Sequence, residues 1–133
     1  MKLKITVATV VFLFLAASCS RSLDNNNATI AASSGTWRVT LFTDSGNNET
    51  TDFSGYAFAF NSNGAVAATK STIIQNGTWS SGSNKFNINL GPKDNINKPL
   101  GELTDDWQII SVSDSEIKLK DDSKAEFLTF TKN

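Results

Sequence analysis

Histidine is absent from this chain. That excludes histidine metal sites, histidine general bases and Ser-His triads. Cys19 is the only cysteine, so no disulfide framework staples the fold and the core must hold by packing. No serine stands in a Gly-x-Ser-x-Gly setting and no glycine-rich loop opens a helix, so nucleophile elbows and phosphate cradles are missing. Basic residues number 12 against 13 acidic ones and are unclustered, which argues against a nucleic-acid partner. Beyond residue 30 no run keeps a helical period. Together these absences predict a protein without catalytic function, cofactor or metal. Nine Phe, three Trp and one Tyr stand against ten Leu. That balance predicts an aromatic β core.

The chain opens on Lys2 and Lys4, followed by the apolar run Ile5–Ala17. This run is shorter than the roughly 20 residues that span a bilayer, and its flanks are those of a secretory signal peptide. Small residues follow, Ala16-Ala17-Ser18, and then Cys19. This end resembles the lipobox of bacterial lipoproteins, although the position three before the Cys, commonly Leu, is Ala16. The resemblance implies a signal peptide over residues 1–18, cleavage before Cys19 and acylation there. It also implies a lipid anchor in a Gram-negative cell envelope, at the outer membrane or cell surface in preference to the inner membrane. What remains is enough for one domain. Residues 19–33 have no period and little to bury, and predict a flexible tether. The alternative is a short helix or plug from Ala28 to Ala32.

From about Ser34 the chain is punctuated every eight to twelve residues by turn chemistry, the spacing of an all-β sandwich or barrel. Eight strands are expected: 36–43, 54–60, 65–69, 73–79, 85–90, 106–112, 116–120 and 125–132. Period-two alternation puts Trp37, Val39 and Leu41 on one face of the first and Tyr56, Phe58 and Phe60 on one face of the second. Phe86, Ile88 and Leu90 share a face of the fifth, and Ile117 and Leu119 point inward from the seventh. Asn61-Ser62-Asn63-Gly64 predicts a tight hairpin turn. Leu100 to Leu103 predicts one helical turn. Ile109-Ile110 and Phe127-Leu128 are apolar on both faces, which implies a bulge or a covered outer face. No connection is long enough for a βαβ unit. The expected fold is therefore an eight-stranded antiparallel up-and-down meander over residues 34–133, closing into a barrel that removes its own edges.

Gly35-Thr36-Trp37 opens the first strand, Gly77-Thr78-Trp79 repeats it, Asp106-Trp107 leads the sixth, and the chain ends Phe127-Leu128-Thr129-Phe130-Thr131-Lys132. This pattern resembles the Gly-x-Trp signature of lipocalins and related calycins, and is similar to the small lipocalin-like domains of bacterial lipoproteins. The resemblance implies that Trp37 crosses the narrow end of the barrel with a basic residue of the last strand, here Lys132, packed on it. It supplies a fold and a compartment but no activity; the leading expectation is a monomer that binds a small apolar or amphipathic molecule. Tyr56, Phe58, Trp79 and Trp107 are the expected lining, with the Tyr56 hydroxyl orienting the guest. The alternative is an interaction or structural module of the envelope whose barrel is filled by its own side chains. The repeated Gly-Thr-Trp is read first as two indoles that fill the core, with a duplicated half-barrel or a cavity lined by Trp37 and Trp79 as the alternatives. Asp44, Glu49 and Asp52 share one loop but lack EF-hand spacing. Asp105-Asp106 and Asp121-Asp122 are adjacent pairs at turns, where solvation is expected rather than acid–base pairing.

Overall fold

Alternating aromatic and small residues make strands here because each strand buries one face. The computed structural model describes residues 25–82, 84–122 and 125–133. The expected signal peptide, Cys19 and the start of the tether lie outside these residues. A helix, α1 (Asn25–Ala32), precedes nine strands: β1 (Trp37–Asp44), β2 (Asn47–Asn48), β3 (Tyr56–Phe60), β4 (Ala65–Lys70), β5 (Ile73–Gly82), β6 (Lys85–Asn89), β7 (Asp105–Val112), β8 (Glu116–Lys120) and β9 (Phe127–Lys132). Single 3-10 turns cover Thr50–Phe53 and Leu100–Leu103, the second where a helical turn was expected.

From β3 onward each strand pairs antiparallel with the next, and β1 pairs with β3 on one side and β9 on the other. The expected closed meander is borne out. The closing seam runs from Trp37 opposite Lys132 to Thr43 opposite Phe127. The β1–β3 seam is thinner, with one registered pair, Trp37 opposite Phe58. The unforeseen β2 is a short hairpin arm on the end of β1. Ser45 and Gly46 join them with φ of 51° and 86°, the left-handed pair that a two-residue hairpin needs.

Several expectations need correcting. The tether reading fails over residues 25–32, which form α1. Ala28, Ala31 and Ala32 are at most 4% exposed, so the plug alternative describes this segment. Leu41 was expected inward. The β1–β9 register shifts between Val39 and Leu41, so Thr40 is an extra residue and the face flips. Phe42, 1% exposed, takes the inward place. A matching shift between Ile109 and Ser111 turns Ile110 out and Val112 in. In β9, Leu128 and Phe130 point inward and Phe127 is exposed.

The interior is filled by rings. Phe60 lies 5.3 Å from each of Trp79, Phe86 and Phe130, edge to face in all three cases, the arrangement that ring quadrupoles favour. Each tryptophan indole N–H donates to a backbone carbonyl of a connecting segment. Trp37 bonds Ala32 at 2.8 Å, Trp79 bonds Asn61 at 2.8 Å and Trp107 bonds Leu103 at 2.9 Å. The indoles thus pin α1, the β3–β4 turn and the 3-10 turn before β7 onto the barrel.

Candidate functional site

The meander fixes what each end of the barrel carries. One end holds α1 and the β3–β4, β5–β6 and β7–β8 turns. The other holds the 44–55 segment, the β4–β5 turn, the long 90–104 connection and the β8–β9 turn. We call these the helix end and the loop end.

At the helix end, Trp37 is fully buried, and the Lys132 ammonium sits 5.3 Å from its ring centre. The same ammonium donates to Ser34 Oγ at 3.0 Å. This is a cation–π cover over a core indole, a structural role.

The four residues expected to line a ligand pocket do not converge. Tyr56 is half-buried, 6.2 Å from Phe58 ring to ring, with the Lys70 ammonium 5.0 Å from its own ring. Phe58 is buried and meets Phe130. Trp79 packs on Phe60 and Phe86. Trp107 is buried and bonded to Leu103. Only Tyr56 and Phe58 are neighbours by ring contact, and all three indole N–H groups are already engaged.

Three concave places among the described residues open to solvent. A groove of about 410 Å³ on the outer face of β5–β7 is lined by Thr78, Ser80, Asn87, Asn89 and Asp106, among others. A slot of about 450 Å³ lies along the β1–β3 seam, between Arg38 and Val39 on one side and Tyr56 and Ala57 on the other. A smaller cleft of about 170 Å³ at the loop end lies over Phe42, ringed by Asp44, Lys93, Asp94, Lys98, Glu102 and Glu126.

Charge is concentrated at the loop end. Carboxylate oxygens of Asp105, Asp121 and Glu126 lie within 4.8 Å of one another. The Lys93 ammonium reaches Asp105 at 2.7 Å. Burial opposes ionisation of Asp105, but the bonds from Lys93 and the Asp106 amide outweigh it and hold the carboxyl below its ordinary value. Lys93 is shifted up by the same pairing against its own burial. Sequence reasoning read both Asp pairs as solvated turns. It missed this convergence because the cluster joins turns distant in sequence, with no local signal. Bidentate carboxylates would supply up to six oxygens to a cation such as Ca²⁺, but the Lys93 ammonium already takes the Asp105 charge. In the 44–55 segment, burial and the nearby Glu102, Asp44 and Asp52 push the Glu49 carboxyl up.

No family model matches the chain, and no curated protein matches it. A solved structure does: a DUF4847 family protein from Bacteroides vulgatus ATCC 8482, with a TM-score of 0.57 and 19% identity, covering 77% of this chain and 94% of that one. The likeness is one of fold. It carries the barrel to a second sequence and leaves the chemistry of the surface to this chain's own residues.

Proposed function

We propose that this protein is a lipid-anchored, non-catalytic module of a Gram-negative cell envelope that works through its surface rather than its interior. The filled barrel carries this reading. Trp37, Phe58, Phe60, Phe86, Trp107 and Phe130 are each at most 1% exposed. An eight-strand barrel is just wide enough to be filled by side chains or to hold one small ligand, and these rings take that space. Support for the anchor comes from Lys2, Lys4, the apolar run and the small residues before Cys19. The absence of histidine and of nucleophile motifs supports the non-catalytic reading, and the unclustered basic residues support one without nucleic acid. The protein acts as a monomer held at the outer membrane or cell surface.

A second reading is favoured by one observation. Tyr56 is half-buried and lines the seam slot together with Val39 and Phe53. A small amphipathic molecule would there lie on the barrel wall, with the phenol as its polar contact.

Native mass spectrometry of protein purified from its host, with tryptophan fluorescence titrated against oleate, separates the two. The surface-module reading expects the chain plus acyl groups alone and unmoved emission. A stoichiometric guest and quenching that Tyr56→Phe weakens would give the case to the second.

A further inference from the structure

We propose that the helix end of the barrel rests on the lipid surface, with the outer side of α1 against the headgroups and the loop end turned into water. This inference rests on the anchoring reading above and goes beyond it, because an anchor alone leaves the orientation open.

Chain length supplies the first argument. An extended chain spans at most about 3.3–3.6 Å per residue, so the few residues from Cys19 to Asn25 hold the start of α1 within about 20 Å of an acylated Cys19. The second argument is that α1 cannot swing away as a tether would. Its Ala28, Ala31 and Ala32 are buried, the Trp37 indole holds the Ala32 carbonyl, and Ser33 Oγ closes back on the Thr29 carbonyl at 2.8 Å. The barrel therefore inherits whatever orientation the anchor gives to α1.

Charge decides which side faces lipid. Between Asn25 and Trp37 there is no charged residue, nor is there one in the turns 61–64 and 82–84; the 113–115 turn adds Asp114 alone. Ile30 projects from the outer side of α1, 67% exposed. Among the described residues the loop end instead carries Asp44, Glu49 and Asp52, then Asp94, Glu102 and Asp105, then Asp121, Asp122 and Glu126, against Lys70, Lys93, Lys98 and Lys120. An anionic leaflet repels that acidic excess and accepts the helix end, where the Lys132 ammonium sits over Trp37 and Ile30 is exposed. The exposed Ile73, Ile74 and Ile96 are then presented on the aqueous side.

The test uses the acylated full chain in vesicles of phosphatidylethanolamine and phosphatidylglycerol with brominated acyl chains. Cys19 is blocked by its lipid, so a fluorophore goes to one introduced thiol, Ile30→Cys or Ile96→Cys, both at exposed positions. The expected result is severalfold stronger quenching by brominated lipid at position 30, with iodide in the buffer quenching position 96 more. Equal quenching at both, or stronger lipid quenching at 96, overturns the orientation. Intact mass of the same sample keeps the two failures apart. An acylated Cys19 with the wrong quenching pattern defeats the orientation alone, and an unmodified Cys19 defeats the anchor and the orientation with it.

Discussion

The two ends of the barrel are closed by different physics. The helix end is shut by apolar burial: small alanines of α1 lie flat on the strands, and the Trp37 indole reaches up to the helix carbonyl. The loop end is shut by a polar mesh. Gln75 Nε2 donates to the Leu90 carbonyl and to Asn97 Oδ1, and Asn97 Nδ2 donates to the carbonyls of Leu90 and Pro92. Thr104 Oγ1 donates to the Gly91 carbonyl and accepts from the Leu90 amide. Leu100 and Leu103 plug the space beneath. Burial is tolerant of detail, whereas such a mesh depends on each partner being in place.

The comparison breaks most readily at Trp37. Trp37→Ala removes the largest buried group of the helix end together with the bond to α1, and should cost about 3–5 kcal/mol in urea denaturation. A loss under about 1 kcal/mol would mean that the end is not closed as described. At the loop end Gly101 packs backbone on backbone against Pro92. A Cβ on Gly101 would run into the Pro92 carbonyl and crowd Asn97. Gly101→Ala should therefore cost about 1–3 kcal/mol, the range for overpacking. Lys132→Met keeps the aliphatic cover on Trp37 and removes the charge, so it should lose about 0.5–2 kcal/mol, the value of the cation–π contact, in the same assay.

The smallest effect sharpens the electrostatic side. Burial and the nearby carboxylates hold the Glu49 pKa above its unfolded value, so its ionised form weakens the fold. Glu49→Gln should stabilise the protein by under about 1 kcal/mol near neutrality, the scale of a solvent-screened charge. The gain should be full above the raised folded pKa and gone below the ordinary Glu value. Thermal melts across pH 3 to 8 would show it, and a pH-independent gain would contradict it.

Most of the fold was legible because period-two alternation is a local signal. The β8 bounds follow from Ile117 and Leu119 alone, and the β3–β4 hairpin from Asn63-Gly64. Bulges broke that reading at Leu41, because a single inserted residue, Thr40, reverses every later side chain. The sequence marked Ile109-Ile110 as a bulge candidate because both faces were apolar there. Leu41-Phe42 is the same kind of adjacent apolar pair, but the clean alternation from Trp37 to Leu41 before it hid the bulge at Thr40. The buried Phe53 was missed because it sits in a polar loop that folds back under Phe42, 5.2 Å away ring to ring. The expected pocket residues are large aromatics at positions that alternation turns inward. Size is also what fills a barrel, and sequence alone does not separate lining from filling.

The filled interior is the central claim, and xenon tests it most directly, because a dry apolar cavity takes up xenon. Crystals of the unaltered protein under xenon pressure should show no site inside the barrel. The Phe60→Ala variant should show one, since the lost ring leaves a cavity among Trp79, Phe86 and Phe130. Xenon bound beside Phe58, Phe60 and Trp107 in the unaltered protein would contradict the account and restore a ligand-sized space to the barrel.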